Sequence, residues 1–532
     1  MPAFEIPPLA VPAHPVAAAQ AVAPIDRERF DYIVVGAGAA GSIVAAKAAA
    51  AGCKVLLVDV GAGVPACNED AWNPARWYEM LSNVDFEMGF DSVPQRNLYN
   101  SDKTNRVAHL LQSRGLGGCQ LHNAMVYVRG GRSTYDHWAH QLGCGGWDYR
   151  SLVPHFEEIE ETLGIVTAEQ DAFSQSFLDA FQRLGLPHNE DYNGGSSEYG
   201  AVPFQFAIEK AADGRLRRTT SFDKFVGAAD LPTLTVATGI YVRRFFADGG
   251  ARGIEYNSPA GEGMRAYAER EVILSAGAIV SPAILLRSGI GDADAIRDCH
   301  LDLLQHLPAV GRNFHDDLGC GFPVLVNAPL PETPYGFVGA GAFACEGGRP
   351  PSDPPAFGEV NLEVQISTSA LPGAPGAWGL RYCLIGCSAM HLNSRGTVAL
   401  DPARPFGPPV VDPAWLTAEG DLDRCLAAMG LAYEVAADPQ LTRQWQWLAP
   451  PKAFVGEDWV RLSGTTVQHY VGSCQMGGSA TDSVVGPDLR VHGVEGLRVI
   501  DASVAPTTVT GNTAGVAMVI GAKGAELLLR DG

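Results

Sequence analysis

A glycine-rich turn set between two apolar runs constrains this chain more than any other feature. FDYIVV (Phe30–Val35) reads as a short buried strand, GAGAAG fills Gly36–Gly41, an alanine-rich helical stretch covers Ser42 to Ala51, and KVLLVDV (Lys54–Val60) reads as a second strand. Strand, glycine turn, helix and strand in this order form the βαβ unit that cradles a dinucleotide. Gly36 permits the tight turn, Gly38 lets the backbone approach a pyrophosphate, and Gly41 lets helix and strand pack closely. The helix N-terminus then offers free N–H groups and a positive dipole end to the phosphates. Asp59 ends the second strand, 23 residues after Gly36, where a carboxylate accepts hydrogen bonds from the adenosine ribose.

At 532 residues the chain is long enough for one large domain with insertions, or for two to four units. Hydrophobic residues at 46% and charged residues at 18% describe a globular chain and exclude disorder of the whole. A formal charge of −21 opposes binding to nucleic acid, so no nucleic-acid partner is expected. The 11 cysteines form no CxxC pair; Cys383 and Cys387 come nearest, so no metal site is expected and the thiols are read as reduced. Residues 1–27 read as a flexible Ala/Pro-rich arm, since Met1 to Pro24 has neither a basic start nor an uninterrupted apolar core. No stretch is apolar for the roughly 18 residues that a membrane span requires. The expectation is therefore a cytoplasmic protein with no membrane span.

Five further blocks resemble, in order, the glucose-methanol-choline (GMC) family of FAD-dependent oxidoreductases. SRGLGGCQLHNAMVYVRG (Ser113–Gly130) is similar to the family's first signature, which wraps the flavin, and TYDHWA followed by GGWDYRSLVPHFEEIE continues it. GAIVSPAILLRSGIG (Gly277–Gly291) matches the second signature, with Ser281, Pro282, Ser288, Gly289 and Gly291 in place. LPAVGRNFHDDL (Leu307–Leu318), HYVGSCQMGG and LRVIDASVAPTTVTGNTAG resemble later family blocks. The resemblance implies FAD as the cofactor, with Gly118, His122 and Asn123 along the flavin. It places Val242 where backbone groups hold adenine, Asp501 and Ala502 by the phosphate and ribityl chain, and Thr513 at the isoalloxazine edge. GGCQLHN is similar to the signature in which a histidine at the place of His122 is bonded covalently to the flavin. Many relatives have an apolar residue there, and Gln120 and Leu121 replace the usual small hydroxyl residues. Tethered FAD and noncovalent FAD packed against His122 both stay open.

The same resemblance assigns proton chemistry to His469. Oxidising an alcohol by hydride transfer to flavin N5 requires a base that takes the hydroxyl proton, and an imidazole has the right basicity. Asn512, 43 residues on, matches the second active-site position, where its amide can hydrogen-bond the developing alkoxide. Tyr470 stands where the family usually has proline. His315, Asp316 and Asp317 are expected to form a solvated turn, and His492 to be structural.

The implied fold is α/β: a Rossmann-like FAD-binding domain assembled from 28–155, 200–320 and 465–532. A second, α+β substrate domain, built on an antiparallel sheet, takes 156–199 and 321–464. Its proline-rich loops PLPETPYG and EGGRPPSDPPAFG suit lids or rims, and Phe357–Ile366 and Leu380–Met390 read as strands. SRGTVALDPARPFGPPVVDPAWL (Ser394–Leu416) resembles a family segment that adds a strand to this sheet and leads into helices. The expected activity is oxidation of an alcohol, primary and aromatic or aliphatic given Trp378, Tyr382 and Trp415, to an aldehyde or ketone. Dioxygen or another acceptor then reoxidises the flavin, and an oxidase is preferred over a dehydrogenase. The alternatives on the same scaffold are a hydroxynitrile lyase or a fatty-acid photodecarboxylase, and outside enzymes a flavoprotein that senses redox state.

Overall fold

The computed structural model describes residues 25–61, 69–81, 86–195, 197–257, 263–326, 334–367, 381–448 and 451–531. The arm before residue 25 and Trp378 lie outside the described residues. Two seven-stranded sheets organise the rest.

The first sheet grows from the apolar runs around the glycine turn. Arg29–Val35 pairs in parallel with Val55–Val58 and with the far half of Gly263–Leu274. Leu234–Ala237 extends the sheet beside Val55–Val58, while Ala251–Asn257 and Tyr241–Asp248 add an antiparallel meander on the other side. Leu497–Val499, from near the end of the sequence, runs parallel to Val272–Leu274. All four residues of Val55–Val58 are buried, as expected of a strand covered on both faces. The covering helix Ala39–Ala50 buries nine of its twelve residues. Its small side chains let the C-terminal helix Ala514–Asp531 approach closely: a Cβ on Gly521 would sit 2.7 Å from the Cα of Ala40.

The second sheet is antiparallel throughout, in the order Trp447–Leu448, Leu318–Val326, Arg381–Ala389, Val360–Ser367, Phe337–Cys345 and Gly200–Pro203. Thr465–Thr466 adds a short strand against Leu318 and Gly319. The helices Ala172–Arg183 and Asp421–Ala436 pack on it, and Phe173, Phe177, Met429 and Ala432 fill the space between. Gly200–Pro203 and Thr465–Thr466 therefore pair within this sheet. Thr397–Ala399 does not join it, although a strand of this sheet was expected there; it pairs with Val410–Asp412 as a separate ribbon because the proline-rich turn between them folds the segment back on itself. Trp415 is 1% exposed in the core beneath the sheet. The ten described cysteines are free thiols.

Candidate active site

The glycine turn has the geometry that its sequence demands. Gly36 has φ +107°, and a Cβ there would stand 2.4 Å from the carbonyl oxygen of Ser275, so no other residue fits. A Cβ on Gly41 would strike the carbonyl of Gly36. Gly38 caps the helix without a side-chain bond, leaving the first-turn N–H groups facing the turn. The first-signature segment presses on the same place. Gly117 N donates to Ala37 O at 2.8 Å, and Gly118, at φ +55°, comes so near that its Cβ would lie 2.7 Å from the Cα of Gly38.

Asp59 has a bracing role that the motif alone does not reveal. Its carboxylate accepts from the backbone N–H groups of Ala37, Gly61 and Gly115, each at 2.9 Å, tying the turn, the strand end and the signature segment together. Burial pushes its pKa up, against these N–H groups. Ile240 N donates to Asp59 O, and Val242 follows at an irregularity in the next strand, 6% exposed. Asp501 accepts from Gly277 N and the Ser281 hydroxyl on one oxygen, and from Ser503 N and its hydroxyl on the other. Its carboxylate is thus occupied within the protein, and the short turn Ala502–Val504 begins from it. Thr513 leads into the C-terminal helix, where its carbonyl accepts from Ala517 N.

His122 closes the short helix Gly118–Leu121. The guanidinium of Arg218 holds this turn, donating to the carbonyls of Gln120 and Asn123 and to the Asn123 side chain. His122 itself is 2% exposed, and neither ring nitrogen has a hydrogen-bond partner. Burial and the Arg218 charge push its pKa down to about 4. Glu87 Oε2 lies 4.0 Å from Nε2, beyond hydrogen-bond reach, and burial raises this carboxyl to about 7; the two are close without forming an ion pair.

His469 is held from two separate stretches of sequence, one at Asp316 and Asp317 and the other at Asn512. Its backbone N–H donates to Asp316 at 2.8 Å and its Nδ1 lies 3.1 Å from Asp317 Oδ2. Reciprocal backbone bonds between His315 and Val471 lock the two loops together. Asp317 also accepts from the backbone of His391 and the hydroxyl of Thr508, both at 3.0 Å, while Thr508 N donates to His315 Nε2. A proton on Nδ1 directed at Asp317 leaves Nε2 as the acceptor, and the Asn512 amide nitrogen sits 3.4 Å from it. Burial lowers the imidazole pKa, but the hydrogen bond to Asp317 and the charges of Asp317, Asp316 and Glu363 outweigh it, so the net shift is upward.

The turn His315–Asp317, expected to be solvated, is no more than 2% exposed. The cause is the adjoining strand, which starts at Leu318 and carries the turn beneath the His469 loop. Tyr470 stacks on Phe314 and its hydroxyl lies 3.1 Å from that of Thr466, which accepts the phenol proton while donating its own to Asp316. A phenol thus braces the loop where a proline was expected. Asp316, Asp317, Thr466 and Thr508 are therefore site residues that sequence reasoning missed; the only signal was the pair of acids directly before a strand.

Two family models described as GMC oxidoreductase match residues 30–319 and 393–521, more than half of the chain. The chain belongs to the GMC oxidoreductase family. It is 30% identical to an oxygen-dependent choline dehydrogenase of Xanthomonas campestris pv. campestris, over 93% of this chain and 95% of that protein. It is 29% identical to the enzyme of the same name from Chromohalobacter salexigens, over 91% and 92%. Among solved structures it is similar to pyridoxine 4-oxidase from Mesorbium loti, with TM-score 0.80, 25% identity and coverage of 94% and 99%. Formate oxidase from Aspergillus oryzae shares the fold at TM-score 0.82 and 22% identity, over 95% and 99%.

FAD is the cofactor of this GMC oxidoreductase. The described residues fit it: an uncapped helix N-terminus lies at a turn where only glycine fits, and a buried imidazole has both nitrogens unpartnered.

Proposed function

We propose that the chain oxidises a primary alcohol, aliphatic or aromatic, to an aldehyde. His469 acts as the base and Asn512 as the oxygen-binding group. The observation that carries this reading is the imidazole held at Nδ1 by Asp317, with Nε2 and the Asn512 amide 3.4 Å apart. A hydroxyl placed against both would give its proton to Nε2 and accept a hydrogen bond from the amide as charge develops on oxygen. Bound FAD supplies the hydride acceptor. The carboxylates of Asp316 and Asp317 then stabilise the imidazolium that results, and the walls of buried side chains exclude water from the exchange.

The names of the relatives support an alcohol, since choline and pyridoxine both carry primary hydroxyl groups. The choline enzymes are named as oxygen-dependent, which supports dioxygen as the acceptor. Residues 28–155, 200–320 and 465–532 would surround FAD, apart from the pieces that pair within the second sheet (Gly200–Pro203, the start of Leu318–Val326 and Thr465–Thr466), with 156–199 and 321–464 forming the substrate side.

Anaerobic mixing of the yellow protein with a panel of alcohols tests the reading. Bleaching of the flavin band by an alcohol is expected, and return of colour on admitting air identifies dioxygen as acceptor. Cleavage of a cyanohydrin or a fatty acid with no alcohol-dependent bleaching would replace it by the lyase or photodecarboxylase alternative.

A further inference from the structure

Three carboxyl groups surround His469, and they differ in what they bond. Asp316 receives the Thr466 hydroxyl and the His469 backbone, while Asp317 receives His469, His391 and Thr508. Glu363 receives nothing: it is 1% exposed and neither of its oxygens has a hydrogen-bond partner. It projects from the middle of the strand Val360–Ser367, opposite Ser388 on one side and Phe343 on the other, close enough to add its charge to those on His469. The guanidinium groups beside Asp317 and His391 are engaged elsewhere. Arg395 bonds the carbonyls of Leu392 and Ser394, and Arg424 bonds those of Met390 and His391.

A buried carboxyl without a donor is costly, and an apolar residue of the same size would fill the position without that cost. Its retention beside the base is explained by a donor that arrives with the substrate. We propose that Glu363 selects the substrate, receiving the N–H groups of a protonated primary or secondary amine carried on the same short chain as the reacting hydroxyl. This rests on the alcohol-oxidation reading above.

The chemistry separates the candidate donors. Glu363 offers two oxygens with about four acceptor positions. A second hydroxyl would fill one of them and leave the charge unmatched. A quaternary ammonium matches the charge but has no N–H to give. An ammonium with two or three N–H groups does both, in the strong charge-assisted form. Burial raises Glu363 to about 7, so the empty site sheds much of its charge near neutrality and the arriving cation restores it. A second buried carboxyl, Glu198, differs in being hydrogen-bonded by Thr510. Glu198 lines a recess of about 310 Å³ with Arg132, Asp136, His137 and Phe357, and Phe357 also packs against His391 beside Asp317.

The test uses the FAD-loaded full chain at about pH 8, where the carboxyl is ionised. 3-Amino-1-propanol is compared with 1-butanol, of matching size, and with its N,N,N-trimethyl derivative. The expected kcat/KM for the primary amine exceeds that of butanol by about 100-fold and that of the trimethyl compound by about 10-fold. Glu363→Gln is expected to bring the first ratio within about fivefold. Equal rates for butanol and the amino alcohol, or an unchanged ratio in the variant, would overturn the proposal, and the wild-type comparison holds even if the variant does not fold. Calorimetric titration with propylamine, which has no hydroxyl, separates the two readings. Propylamine binding that needs Glu363, in a protein that no alcohol bleaches, supports the amine site and removes alcohol oxidation. Bleaching by alcohols without an amine preference does the reverse.

Discussion

Asp317 Oδ2 lies 3.1 Å from Nδ1 of His469, and this one contact sets both the tautomer and the basicity of the imidazole. In the free enzyme only the neutral ring accepts a proton, so kcat/KM should rise with pH through a value above the ordinary histidine range, about 6.5. Asp317→Asn removes the largest raising influence, so the rising limb should move to lower pH. The maximum rate should drop by about 100-fold. A pH–rate profile of the pair checks both, and an unmoved limb would remove Asp317 from the account.

His469→Gln should leave the protein yellow while slowing flavin reduction by about 10³-fold, the usual range for a lost general base. Rapid mixing under anaerobic conditions measures this directly, and a near-normal rate would move the base to another residue.

Gly36→Ala would push a methyl group against the Ser275 carbonyl from a backbone at φ +107°. Strain of this kind amounts to about 1–3 kcal/mol. Purified variant protein should show a lower melting temperature and less than a tenth, roughly, of the normal flavin content. Gly118→Ala, which would force the signature segment away from Gly38, should lose colour as well. Full flavin occupancy in both variants would mean that the cradle lies elsewhere.

His122 is held neutral, with both nitrogens unpartnered, which suits a ring that forms a bond to the flavin. Acid precipitation of the wild-type protein should therefore carry the yellow colour into the pellet, with an intact mass higher by one FAD. His122→Ala should release all of it to the supernatant. Colour in the wild-type supernatant would leave His122 as a packing residue only.

The first strand, the turn and the helix were legible within a few residues, because each obeys a local rule: an apolar run, glycine where a side chain cannot fit, alanine where two helices meet. The long strands near 360 and 381 were legible from their alternation. The carboxylates around His469 were not. Nothing local in HDDL says that Leu318 starts a sheet strand, that Thr465 pairs against it, or that the turn is thereby buried under a loop 150 residues away. Asp59 shows the same limit: its motif names a ribose, but its three backbone partners come from folds of the chain that only tertiary structure brings together. Thr397–Ala399 misled because a β-forming run does not reveal which partner it takes.

Leu497–Val499 completes a sheet whose first strand is Arg29–Val35. The nucleotide turn thus depends on elements far along the sequence, the strand Leu497–Val499 and the helix Ala514–Asp531. A chain cut short anywhere before residue 497 lacks both that strand and the helix that lies across Ala39–Ala50, and it should emerge colourless however well its N-terminal portion folds.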